Sequence, residues 1–405
     1  MKHTTIVLLF FYSTLIFAQK NDFNYVIDFI TTEQGLSHNY TTSILSDDLN
    51  IKWIGTENGI TKFNGYDFEY IKPSSVYSKL LNENIEVLFK DSESNIWIGT
   101  KTGGLSVLNM KNNQIENYNN LIDSSYGDNL RITALSEDKE GNIWAGTWEN
   151  GVFVIDTHNK KLLRHYDSNR IVYKISKDFK NNMWFCNDNN LHFFNALDSS
   201  LRTFKIQGQI TDILPDAKRN KVWVSSSKKN TQVYAYNYKT DSLESLETGV
   251  LSDFSKKLSL DKQNRIWIGT WGNGIYRSND SLTKFMEIDL VSKNPEKIKD
   301  NYKTILDIHH DINNITWLAT ANGGIVKLVE GNGFKNANKF IKNKELKEHL
   351  NFTSIYKDNQ NIFLGTLFTG VYHGKDFSNL KQIKDIGNTK VNTLYEHHGK
   401  LYIGV

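Results

Sequence analysis

An aspartate stands six residues before an aromatic at Asp47, Asp91, Asp138, Asp178, Asp261 and Asp311, and one residue off that register at Asp216 and Asp358. Carboxylates spaced so evenly invite a metal or acid–base reading. A residue present in every copy of a repeat is spread around the molecule and cannot converge on one substrate, so the expected role is an Asx-type turn closing a hairpin. His309-His310, next to Asp311, and His397-His398 fall on the same hairpins and are expected to be solvated rather than metal-bound. Cys186, the only cysteine, fills a small-residue slot of its repeat and reads as a structural thiol rather than a nucleophile. No catalytic residue, metal site or cofactor is expected.

The elements that carry these residues follow from a recurring phrase. Asn142-Ile143-Trp144-Ala145-Gly146-Thr147 returns around Trp53, Trp97, Trp184, Trp223, Trp267, Trp317, Phe363 and Tyr402. The interval of about 40 to 50 residues suits propeller blades and some helical solenoids. Alternation within the phrase selects strands, because Trp144 and Gly146 share one face while Ile143 and Ala145 share the other. A strand precedes it at Ile132 to Ser136, another follows from Gly151 to Asp156, and a weaker fourth lies around Leu162 to Tyr166. Four short antiparallel strands per unit describe an all-β propeller of four-stranded blades.

Two residues after each aromatic the side chain is small: Gly55, Gly99, Gly146, Cys186, Ser225, Gly269, Ala319, Gly365 or Gly404. The expected cause is a large ring of one blade lying against bare backbone. Blades four and five, which lack the glycine that opens the third strand, are expected to have less regular hairpins.

Loops between second and third strands gather at one mouth of a propeller, where ligand contacts collect. Seven of the nine tryptophans belong to the repeat; Trp148 and Trp271 do not, and they stand in such loops. An exposed indole flanked by polar residues offers a sugar ring an apolar face and partners for its hydroxyls. Trp148, Glu149, Asn150, Trp271, Asn273 and Phe368 are therefore the candidate ligand contacts, with Trp148 and Trp271 expected to face each other across the mouth. The competing expectation is that both indoles shield sheet ends.

Residues 1–18 have the charge, length and small-residue exit of a secretory signal. Residues 19–345 are expected to form a seven-bladed propeller closed by the orphan strand Phe23 to Ile30, and residues 346–405 to begin a second. An eight-bladed ring ending near residue 388 is the alternative. A formal charge of +3 over 405 residues, with scattered Lys and Arg, leaves no footprint for nucleic acid.

The pattern of a Gly-Leu-Ser lead-in, an Ile-x-x-Leu strand, Asp, a short turn, Ile-Trp-Ile-Gly-Thr and Gly-Ile/Leu resembles the two-component regulator propeller repeat. Its clearest copies are Gly35 to Gly65, Ile132 to Asp156 and Tyr302 to Leu328. The resemblance implies the periplasmic sensor region of a hybrid two-component histidine kinase of Bacteroidetes type. It further implies a homodimer, a polysaccharide-derived ligand, and a membrane helix and kinase core outside this chain, of which the chain is then a fragment. A propeller-fold polysaccharide lyase or glycosidase and a scaffold without ligand are the rival functions.

Overall fold

The repeats fold as the alternation of their phrase requires. In the third, Ile132–Glu137, Ile143–Thr147, Val152–Asp156 and Lys161–Tyr166 pair antiparallel in chain order. Asp138 builds the first turn, its Oδ1 accepting the backbone N–H groups of Glu140 and Asn142 at 3.0 and 2.9 Å. Its Oδ2 accepts the indole N–H of Trp144 at 3.0 Å. That second bond explains the fixed spacing, since one carboxylate closes the turn and also satisfies the donor of a buried tryptophan. The same bond joins Asp47 to Trp53, Asp91 to Trp97, Asp178 to Trp184, Asp216 to Trp223, Asp261 to Trp267 and Asp311 to Trp317, at 2.7 to 3.0 Å.

The structure, a computed structural model, describes residues 25–73, 79–122, 130–227, 232–250, 254–290, 301–330, 352–358, 360–376, 379–387, 389–397 and 400–405. The expected signal segment and the expected boundary at residues 345 and 346 lie outside these. Two compact units are present, Met1–Glu330 and Gly331–Val405. Among the described residues of the first, the strands form seven four-stranded antiparallel sheets. Their innermost strands are Thr41–Ser46, Ile85–Lys90, Ile132–Glu137, Val172–Lys177, Gln209–Asp216, Ser255–Leu260 and Ile305–His310. Each lies against the next and the last against the first, which closes a toroid. The outer strand of the seventh blade comes from the start of the chain: Tyr25–Ile30 pairs with Ile325–Glu330 over six residues.

The small positions have a different cause from the one expected. No aromatic ring lies there; a β-branched side chain from the next blade's inner strand does. A Cβ on Gly55 would stand 2.8 Å from Ile85 Cγ2, one on Gly146 would stand 2.6 Å from Val172 Cγ1, and one on Gly269 would stand 2.8 Å from Ile305 Cγ2. Blades one, two, three and six thus take a branched methyl of the next blade into the notch beside their own tryptophan. Trp144 accordingly clusters with Val172, Ile175 and Phe185 of the following blade. Cys186 is fully buried in the corresponding notch, and burial pushes its thiol up to about 12, so it carries no thiolate at neutral pH.

The hairpin of blade four is also more regular than expected, while the corresponding loop of blade five, residues 228–231, lies outside the described residues. Met183–Asn187 and Asn190–Phe194 pair with Asn187 opposite Asn190, so a two-residue turn with Asp188 at positive φ does the work of the missing glycine. Blade five has the longest strands of the ring, Gln209–Asp216 and Lys221–Ser227.

His309 and His310 are not solvated turn residues. Both end the inner strand of blade seven, with His309 Nε2 2.7 Å from Ser46 Oγ and His310 Nδ1 2.9 Å from Thr316 Oγ1. Burial pulls His310 down to about 4, and likewise His192, which stacks on Phe185 at 4.5 Å. In each the folded state resists a proton that the unfolded chain accepts near pH 6.5. Their stabilisation is therefore complete above about pH 6.5 and is lost as the pH falls toward 4. Thermal melts between pH 7.5 and 4.5 are expected to show a falling Tm, with a shallower slope in His192→Gln.

The second unit, taken by itself, contains a sheet of Phe352–Lys357, Ile362–Thr366, Val371–Gly374 and Lys381–Gln382, and a hairpin of Thr393–His397 and Lys400–Gly404. Its notch follows the same rule, a Cβ on Gly365 falling 2.7 Å from Val391 Cγ1.

Candidate functional site

A register shift occurs near the start of every inner strand in the ring, after the first residue or, in blade five, the second: between Thr41 and Ser43, Ile85 and Val87, Ile132 and Ala134, Val172 and Lys174, Ile210 and Asp212, Ser255 and Lys257, and Ile305 and Asp307. A bulge of this kind sets two residues against one and breaks the alternation of the strand. Its effect here is to turn two consecutive side chains from each blade toward the axis. All of them line one cavity of about 710 Å³.

Opposite the small notch residues stand Ser43, Val87, Ala134, Lys174, Asp212, Lys257 and Asp307, one from each blade. Three blades give small or apolar groups and four give alternating Lys and Asp. The carboxylates also tie blade to blade. Asp307 Oδ2 accepts the N–H of Ile44 at 3.0 Å and Asp212 Oδ2 that of Leu258 at 2.7 Å, while Ser43 Oγ accepts that of Leu88 at 3.2 Å. Lys257 Nζ lies 2.9 Å from Asp307 Oδ1, and Lys174 Nζ lies 3.8 Å from Asp212 Oδ1. Burial pushes the Asp307 carboxyl up, but Lys257 and the Ile44 N–H outweigh it and hold the group below its ordinary range. Lys257 is likewise penalised by burial yet held above its usual value by Asp307 and Asp212. Lys174 is lowered, first by the neighbouring Lys257 and then by burial.

The rim carries two related constellations. In blade three the guanidinium of Arg131 covers one face of Trp148, 3.7 Å from the ring centroid, and its Nη2 meets Glu86 Oε1 of blade two at 2.8 Å. In blade six Trp271 is 50 % exposed and flanked by Phe254 and Lys256, whose ammonium lies 5.7 Å from the indole centroid. Equivalent backbone bonds position both indoles: Trp148 N–H donates to Arg131 O at 3.1 Å and Trp271 N–H to Phe254 O at 3.0 Å.

Of the sequence candidates, the structure brings Trp148 and Trp271 to this cavity. Glu149, Asn150 and Asn273 do not line it. Glu149 is exposed. The N–H groups of Asn150 and Asn273 cap the loops by donating to Thr147 Oγ1 and Thr270 Oγ1 at 2.8 and 3.1 Å. Phe368 belongs to the second unit, where it is exposed between Ile362–Thr366 and Val371–Gly374. The lining groups that sequence reasoning missed are Glu86, Arg131, Tyr173, Lys174, Asp212, Lys256, Lys257 and Asp307. Except for Arg131, which precedes its strand, their signal was a column of the repeat, the two residues at the bulge of each inner strand, that varies in charge.

A propeller with a polar, aromatic-rimmed axial cavity is the class of protein these observations define. Residues 125–149, which include the first hairpin of blade three, match the family model of the two component regulator propeller. The repeat resemblance is thereby borne out. Sequence comparison with curated proteins yields no match. Among solved structures the chain resembles the extracellular domain of BT3049 from B. thetaiotaomicron, described as a hybrid two component system. The two share 20 % identity with a TM-score of 0.61, over 94 % of this chain and 52 % of that one. The extracellular domain of BT4673, described as a hybrid two component system of the same organism, shares 19 % identity with a TM-score of 0.61, over 93 % and 51 % of the two chains. This chain therefore spans about half the length of these relatives. Virginiamycin B lyase from Staphylococcus aureus shares 16 % identity with a TM-score of 0.60, over 76 % and 99 %. At such identities the likeness establishes the fold, which sensors and lyases share.

Proposed function

We propose that this chain is the exported, ligand-sensing propeller region of a two-component sensor, acting in the periplasm. Its ligand is an oligosaccharide released from a polysaccharide. The observation that carries the reading is the axial cavity, open to two indoles that the repeat does not need and lined by a pair of residues from every blade, at least one of each pair polar. Aromatic faces beside hydrogen-bonding groups suit a sugar ring. The match to the regulator propeller model and the likeness to extracellular domains of two-component systems support a sensor. Binding would be passed on to a histidine kinase outside this chain, with a homodimer as the assembly whose two arrangements differ in affinity.

An acid–base enzyme at this site is disfavoured by the state of three of the four carboxylates that line it. Asp212 and Asp307 are engaged by backbone N–H groups and face lysines, and Glu86 is held by Arg131. Calorimetric titration of the purified chain with oligosaccharide pools from plant polysaccharides tests the proposal. Trp271→Ala is expected to weaken binding at least about tenfold, the loss typical of a ring stacked on an aromatic face. Trp148→Ala should cost less, because Arg131 already occupies one of its faces. Equal affinity in a folded Trp148→Ala/Trp271→Ala double variant would remove the indoles from the site, and turnover of the pools would favour an enzyme.

A further inference from the structure

Five cationic side chains line the cavity: Lys101, which follows the strand Ile96–Thr100 and has no ion pair among the described residues, and Arg131, Lys174, Lys256 and Lys257, of which three face a carboxylate within 4 Å. Lys256 does not. Among the described residues its ammonium forms no ion pair or hydrogen bond, although it sits on the bulge of blade six and lines the same cavity as Trp271. Glu86, its counterpart on the bulge of blade two, is taken by Arg131. The rings of Trp271 and Phe254 lie 5.7 and 6.0 Å from the ammonium, at the outer limit of cation–π contact, and accept no hydrogen bond as an oxygen would. Burial also lowers Lys256 from its ordinary value, so a charged state there gains from an added anion.

Resting on the sugar-binding reading above, we infer that the ligand is an acidic oligosaccharide whose carboxylate or sulfate group docks on Lys256 while a neighbouring ring stacks on Trp271. The two groups belong together geometrically, since the bulge that turns Lys256 to the axis is on the strand beside the one that ends at Thr270, next to Trp271. A cation on one side of the indole leaves the anionic substituent of a stacked ring within reach. Lys174, Asp212, Lys257 and Asp307 are neutral as a set and supply hydroxyl partners without competing for the anion.

The test is calorimetric titration with three probes: oligogalacturonides, the same pool methyl-esterified to remove its charge, and sulfated glycosaminoglycan disaccharides. Wild type is expected to bind one acidic pool and to bind the esterified pool at least about tenfold more weakly. Which acidic pool binds separates carboxylate from sulfate. Lys256→Met should abolish that preference, and Lys256→Arg should largely restore it. If acidic and esterified pools bind alike in wild type and in Lys256→Met, the anion site is refuted while sugar binding stands. If neither these nor neutral oligosaccharides bind the folded chain, both readings fall.

Discussion

Removal of Tyr25–Ile30 is expected to unfold the ring rather than trim it. These six residues form the fourth strand of the seventh blade, so their loss leaves Ile325–Glu330 as a bare edge. Tyr25 and Ile30 are buried, Tyr25 packs edge-on against Trp267 at 6.0 Å, and Phe29 lies 4.5 Å from Tyr302. The Tyr25 hydroxyl accepts from Arg277, which together with Arg265 holds Glu330 at the end of the paired strand. Two buried side chains at about 2 kcal/mol each, with the ladder hydrogen bonds at about 1 kcal/mol each, approach 8 kcal/mol. That matches the whole stability of a typical domain. Circular dichroism melts should show loss of the cooperative transition, and a peptide of the sequence YVIDFI added in excess should restore part of it. A truncated chain that melts within a few degrees of the full one would show that closure rests on the inner strands alone.

Asp307→Ala is expected to destabilise the first unit by about 3–5 kcal/mol, the range for breaking a buried ion pair by removing one partner. Two groups lose their acceptor at once. Lys257 is left charged in the channel wall, and the N–H of Ile44, across the seam between the last and first blades, is left unpaired. Ala134 shows that the register position itself tolerates alanine in blade three, so the cost comes from the orphaned partners and not from shape. Urea unfolding measures the difference. Asp307→Ala/Lys257→Ala should recover part of the loss by removing the stranded charge. A single variant within about 1 kcal/mol of wild type would mean that water replaces the carboxylate.

Much of this molecule was legible because the repeat makes each position a replicate of eight others. The Asp-to-aromatic interval marked the turn, but not the indole bond that sets the interval, since a hydrogen bond between side chains six residues apart appears only once the hairpin folds back. The small position was recognised as a close approach and assigned to the wrong neighbour. Ile85, Val172 and Ile305 fill those notches from the following blade, and sequence order carries no record of which blade face a methyl meets. The two unscheduled indoles were visible as exceptions to the repeat. The charged lining was not, because the bulge after Thr41 and its equivalents changes strand parity and turns inward residues such as Lys256 that alternation assigns outward.

Composition and period, acting locally along the chain, determined the strands, their turns and the all-β class, since alternation and turn chemistry operate between residues a few positions apart. Only the closed ring decided the site. Bringing Arg131 beside Glu86, Asp307 against Ile44, and Trp148 and Trp271 to one cavity requires every blade to hold its angle, a condition set by packing between units 40 or more residues apart.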